Sequence, residues 1–287
     1  MVDTVDTIEA ADNTAMTGPE SSTSDTRALS PVARYSPLRS DAALATGFAV
    51  LLLALWQGAV ATNVIDGRLW PAPLTVLAAI GEMTRDGQLL PHVFATLGRT
   101  LAAFVAGSVA GITLGLLMGT VRILRALFDP IIAALSVLPK ITLLPLVYLA
   151  FGGYGELPRI VTVALGVFAV MTITAMGAVR QIDGVLIEAG RNFGARRWQL
   201  FRHVLLPGSL PTIMSGLRVA LATGLLVVIA AEFSYTQSGL GYLVWSGWNT
   251  LATTTMFVGL VCIALLGVLL TLALNLLERL LLPWKHG

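Results

Sequence analysis

The chain has 287 residues, 56% of them hydrophobic and only 12% charged, about half the charged share of an ordinary globular protein. That balance excludes a water-soluble enzyme and describes one bundle of membrane helices. The net charge of +2 is uninformative by itself, no charge cluster reads as a nucleic-acid footprint, and a single cysteine, Cys262, excludes a disulfide within the chain.

Residues 1–38 are rich in Asp, Thr, Ser, Ala and Pro and carry too little bulky apolar material to bury a core, which predicts a disordered tail. An uncharged run over about 42–65 is long enough to cross the hydrocarbon layer and too long for a signal-peptide core, so it is read as a retained first span. The mixed stretch from Asp66 to Pro91 suits an interfacial helix, with Trp70 at headgroup depth. A second span, about 93–121, repeats Gly107, Gly111, Gly115 and Gly119 at every fourth position, a groove in which another helix can approach closely.

The third block, about 126–150, holds Pro130, Pro139 and Pro145, with Lys140 near its middle. Repeated proline predicts a broken or kinked span, whose freed carbonyls need partners in protein or in a water-filled cavity. A fourth span covers about 160–179. A fifth, about 209–233, carries Arg218 and ends at Glu232. An uncharged segment with Trp245 and Trp248 reads as re-entrant or interfacial, and a sixth span covers about 256–277.

Six spans place both termini on one side. The exposed segments on that side hold Arg27, Arg34, Arg39, Arg122, Arg125, Arg180, Arg191, Arg196, Arg197, Arg202, Arg279 and Lys285; those on the other hold Arg68, Arg85 and Arg159. Twelve cations against three put the termini in the cytoplasm of a multi-pass protein of the cell membrane.

Between the fourth and fifth spans lies a polar, arginine-rich insert, about 183–207. Asp183 is placed to cap a short helix through Ala189, and Asn192 with Gly194 to break it. A second amphipathic helix is expected from Ala195 to Leu206, with Trp198, Phe201 and Leu205 on one side and Pro207 ending it. The small residues around the turn would let another protein approach the backbone.

The spacing here, Glu188-Ala189-Gly190, three residues, Gly194, nine residues, Val204-Leu205-Leu206-Pro207, resembles the EAA loop of permease subunits of ATP-binding-cassette importers. Gly190 and Val204 depart from the usual Ala and Ile. Trp70 to Pro73, Leu138-Pro139 with Leu144-Pro145, Ala230-Ala231-Glu232 and Gly239 to Tyr242 resemble the nitrate, sulfonate and taurine branch in the same order. The resemblance implies an all-α membrane protein with six transmembrane helices and a cytoplasmic coupling loop, of the type I importer kind, over residues 39–287. It implies a translocation path for a small, anionic solute such as a sulfonate, taurine or nitrate. The implied partners are an ABC ATPase subunit, an extracytoplasmic solute-binding protein, a second permease copy as a homodimer, and membrane lipid. ATPase coupling would fall to Glu188, Ala189, Gly190, Gly194, Ala195, Arg196 and Arg197.

The chain carries no catalytic, cofactor or metal signature of its own. A phosphate-binding loop needs Gly-Lys before Ser or Thr, yet the only lysines, Lys140 and Lys285, follow Pro139 and Trp284. His92, His203 and His286 lie in no zinc-ligand pattern, and no G-x-S-x-G elbow occurs. ATP and magnesium are therefore expected on the partner subunit. Charges inside spans are costly, which singles out Lys140 and Glu232. Two readings stay open for them: an internal ion pair that fixes helices, or residues of the translocation path. A carrier driven by an ion gradient is the alternative function, although coupling acids are scarce and no inverted repeat is evident.

Overall fold

A computed structural model describes residues 40–233 and 236–281. The predicted tail, Arg39, Tyr235 and Lys285 lie outside the described residues. The regular structure among those residues is all helical, with no strand among them. The chain divides into a unit ending at Ala49 and a second from Val50 onward. Helix α1 (Ser40–Ala61) begins in the first and ends in the second, and its apolar side chains are largely exposed, as a lipid-facing helix requires.

In the second unit, α2 (Pro73–Arg85) starts on a proline, whose missing N–H costs nothing in a first helical turn. It buries Val76 in a cluster with Leu89, Leu240, Leu243 and Val258, and Trp70 stands edge-on to Phe257. The long helices are α3 (Leu89–Thr120), α6 (Glu156–Arg180), α9 (Leu206–Glu232) and α11 (Thr253–Leu281). Between them lie α4 (Arg122–Val137), α5 (Leu144–Ala150), α7 (Gly184–Asn192), α8 (Arg197–Leu200) and α10 (Leu240–Asn249).

The glycine ladder explains how the centre is built. A Cβ at Gly107 would lie 2.5 Å from the Ala164 carbonyl oxygen, one at Gly111 2.7 Å from that of Phe168, and one at Gly115 2.5 Å from that of Thr172. Only hydrogen at these positions lets α3 and α6 touch backbone to backbone. Both numbers in each pair rise together, so the two helices run parallel. Parallel neighbours need a return crossing, and the residues between them supply it as α4 and α5, bent by 102° at the break. With that bent pair counted as one span, six segments among the described residues are long and apolar enough to cross a membrane, the number expected from the sequence.

Helix α9 returns antiparallel to α6, with Gly216 seated against Thr174 and Gly224 against Val167. Val167, Met171, Ala175, Ile213 and Ala220 form the core of this three-helix seam. Helix α10 is the short segment read from sequence as re-entrant or interfacial; it folds back on α11 through Gly247 and Gly259.

Two expectations are corrected. Pro207 does not end the second helix of the insert, because a π-helical turn, Phe201–Leu205, carries the chain straight into α9. The Leu206 N–H reaches back five residues to the Phe201 carbonyl, and this wider turn makes room for the proline ring and its missing donor. Arg159, counted from sequence among exposed cations, is buried in the first turn of α6.

Candidate functional site

Three groups of residues carry the sequence's functional expectations, and the helices place each of them.

The first is the insert between α6 and α9. Asp183 accepts from the Val185 N–H and caps α7, as its position predicts. The helix closes at Asn192, and Gly194 takes φ +77°, a left-handed conformation that favours glycine. The Gln199 side chain accepts from the Arg196 N–H and starts α8. Gly194 has open space where a Cβ would stand, whereas Gly190 does not: a Cβ there would lie 2.8 Å from Leu200 Cδ1. Gly190 is thus small so that α7 can close on α8, a reason its exposure-based reading missed. Glu188, Arg196 and Arg197 are exposed, and Ala189 and Ala195 half-buried. Phe193 beside the turn is 92% exposed, and Trp198 is exposed as well. Aromatic rings standing in solvent next to a backbone turn are what a docking partner would cover.

The second group surrounds the break between α4 and α5. Pro139 offers no N–H to the end of α4, and Lys140 bends round so that its Nζ donates to the Ser136 carbonyl at 2.7 Å. The cation therefore serves one of the carbonyls that the break would otherwise strand, close to the negative end of α4. Its stem lies over Gly166 of α6, where a Cβ would come within 3.1 Å of Lys140 Cγ. The next turn opens on a cavity of 510 Å³ lined by Ile141, Leu144, Pro145, Tyr148, Leu149 and Tyr154 among others.

The third group was not foreseen as a group. The seam register pairs residue 107 with 164 and 115 with 172, and carried back along α3 it sets Arg99 level with Glu156. Arg99 donates through Nε to Glu156 Oε2 at 2.6 Å and through Nη2 to Glu156 Oε1 at 2.7 Å. Its Nη1 reaches Glu232 Oε1 at 2.6 Å and the Ser238 carbonyl at 2.8 Å. Arg159 donates to the same Glu156 Oε1 at 2.8 Å and to the Tyr148 hydroxyl at 3.0 Å. Glu232 also accepts from the Thr96 hydroxyl and from the Gly241 N–H at 2.9 Å. Gly239, at φ +115°, passes so close to the Glu232 carboxylate that no Cβ fits there. Five helices, α3, α5, α6, α9 and α10, meet in this cluster, at the ends of α6 and α9 remote from the insert.

Comparison with known proteins decides the family. Residues 107–285 match the family described as "Binding-protein-dependent transport system inner membrane component". The chain belongs to this family. The permease is 35% identical to the taurine transport system permease protein TauC of Escherichia coli (strain K12), over 88% of its own length and 92% of that protein's. It is 37% identical to the Escherichia coli (strain K12) protein SsuC, named for aliphatic sulfonates transport, covering 82% and 89%. It is also 33% identical to the riboflavin transport system permease protein RibX of Chloroflexus aurantiacus, covering 82% and 88%. A solved structure, an inward-facing conformation of the MetNI methionine ABC transporter, aligns with TM-score 0.61 and 25% identity, over 67% of the permease and 94% of that chain.

The permease is thus a multi-pass subunit of an ABC importer with the type I fold, and it contributes to the translocation path. Such subunits are not themselves enzymes: ATP is hydrolysed on a separate subunit, and solute arrives on a binding protein. Nothing in the comparisons favours the ion-gradient carrier. The fold brings Glu232 together with Arg99 and Arg159 and leaves Lys140 apart from them, in a separate turn. Glu232 is fully buried and held on both oxygens, while Lys140 is half-buried beside the cavity.

Proposed function

We propose that the permease imports small sulfonates and works as a pair of identical copies, each seated in lipid through the exposed apolar faces of helices such as α1 and α11. Both termini and the 183–207 insert lie in the cytoplasm on this reading, which rests on the charge asymmetry of the connecting segments. The insert seats in the ATPase, which holds ATP and magnesium: Phe193 and Trp198 supply apolar contact, Arg196 and Arg197 meet acidic groups, and Glu188 fixes α7. Ala189, Gly190, Gly194 and Ala195 keep the turn compact. Lys140 lines the path and favours an anion. Glu232 serves the path as the fixed counter-charge at its outer end.

The observation that carries the substrate class is the double relationship to TauC and SsuC at 35% and 37% identity. The likeness to RibX shows that such a fold also accompanies a different solute name, so the residues of the path must choose. Proteoliposomes holding the permease with its ATPase and binding protein should accumulate labelled taurine when ATP is inside, with uptake stopped by vanadate. Uptake that persists without the ATPase would refute the ABC assignment of transport. Uptake absent for taurine and for alkanesulfonates, yet present for a neutral solute, would refute the sulfonate reading.

A further inference from the structure

We propose that Arg99 and Arg159 form an oxyanion subsite which Glu156 fills in the solute-free permease, and that the sulfonate group of a transported solute takes Glu156's place. The inference rests on the anionic-solute reading and deepens it.

The two carboxylates of the cluster differ. Glu232 has 0% of its side chain exposed, and Thr96 and the Gly241 N–H hold it independently of the arginines. Glu156 is 56% exposed, while the guanidinium side chains it bridges are 6% and 9% exposed. A carboxylate that stands largely in solvent loses little hydration when it swings away. The two guanidinium groups left behind keep Glu232 and the Tyr148 hydroxyl as partners but are one negative charge short, a deficit that another anion would make good. Glu232 keeps Arg99 aimed during such an exchange, and the Tyr148 hydroxyl keeps Arg159 aimed.

The donor set fits a sulfonate. Arg99 Nε, Arg99 Nη2 and Arg159 Nη1 are three N–H groups converging on the two oxygens of Glu156. A sulfonate brings three oxygens, one for each donor, in the forked geometry guanidinium groups favour. Charge also selects. Arg99 and Arg159 with Glu156 and Glu232 sum to zero, and a monovalent sulfonate in place of Glu156 restores that balance. A divalent anion would leave the buried set negative. Access is at hand, since Tyr148, which holds Arg159, also lines the 510 Å³ cavity.

The test uses the permease–ATPase complex in nanodiscs, with methanesulfonate as probe and sulfate as the divalent control, read by calorimetry. Glu156→Gln removes the internal competitor and should lower the apparent Kd for methanesulfonate by about tenfold, the gain expected when an occupant that blocks the site some nine-tenths of the time is lost. Glu156→Asp, which keeps the charge but shortens its reach, should tighten binding less, and Arg159→Gln should abolish it. Sulfate should bind at least about tenfold more weakly than methanesulfonate. An unchanged or weaker Kd in an assembled Glu156→Gln complex, or in Glu156→Asp should the first variant not assemble, overturns the subsite. ATP-driven taurine uptake by the unaltered complex separates the two claims. Uptake with no effect of the Glu156 variants removes the subsite and leaves the anion reading. Tightening without uptake leaves the subsite and removes sulfonate transport.

Discussion

Gly111→Ala tests the central seam, because a single methyl group must enter a backbone contact. The new Cβ would lie 2.7 Å from the Phe168 carbonyl oxygen, 2.8 Å from Met171 Cβ and 3.2 Å from the Thr172 nitrogen. Two of these are backbone atoms and cannot rotate away. Restoring an ordinary 3.4 Å contact separates α3 from α6 by about 0.7 Å at that point, and inserting volume into a well-packed site costs about 1–3 kcal/mol. Gly98→Ala is the control on the same helix: nothing lies within 4 Å of its Cβ, and alanine gains about 1 kcal/mol over glycine in a helix. Relative to the control, Gly111→Ala should therefore be less stable by about 1–3 kcal/mol. At about 2–4 °C per kcal/mol for a chain of this size, the midpoint should fall by about 2–12 °C. Thermal unfolding of the detergent-purified protein, followed by fluorescence-detected size exclusion, measures this. Equal midpoints for the two variants would show that the backbone contact between α3 and α6 is not formed.

Gly194→Val places a β-branched residue at φ +77°, at a backbone cost of about 1–2 kcal/mol. It should abolish ATP-driven uptake at near-normal membrane abundance, with Arg122→Gln milder, and full uptake would sink the coupling role of the turn. Lys140→Met should reduce taurine uptake while membrane abundance holds; disappearance of the variant from the membrane would instead make Lys140 a structural residue that serves the Ser136 carbonyl. With Cys262 replaced, cysteines introduced singly at Asp86 and at Arg196 should react with an impermeant reagent from opposite sides, and labelling of both from outside refutes the proposed orientation.

What the sequence made legible is what depends on neighbours along the chain. Spans follow from runs without charge, the break from Pro139, the α7 cap from Asp183, and the turn from Gly194. The glycine ladder announced a close helix contact through its spacing of four. It could not say which helix would fill the groove, because that depends on α4 and α5 bending and returning. Without the register between α3 and α6, Arg99 and Glu156 remain two charges 57 positions apart. A usable signal was nonetheless present: Arg99, Glu156, Arg159 and Glu232 all stand near span ends on the same predicted side. Pro207 misled for a local reason, since the five-residue π turn that accommodates it leaves no mark in the hydrophobic pattern.

The described charges within the helix bundle divide in a way that bears on the path. Arg99 and Arg159 are balanced by Glu156 and Glu232, and Arg218 of α9 pairs with Glu278 of α11. Each set is neutral, which is how a low-dielectric interior tolerates ions. Lys140 follows a different arrangement. Among the described residues no carboxylate lies within ion-pair distance of it, and its ammonium is steadied by a carbonyl at the negative end of α4. A carbonyl dipole holds the cation in place without cancelling its charge. This leaves an uncancelled positive charge next in sequence to Ile141, which lines the cavity, and on the path role proposed for Lys140 a passing anion would gain from it. Were fixing helices the only requirement, an acidic partner on α6 or α9 would hold Lys140 more firmly, and the chain places small Gly166 beneath it instead.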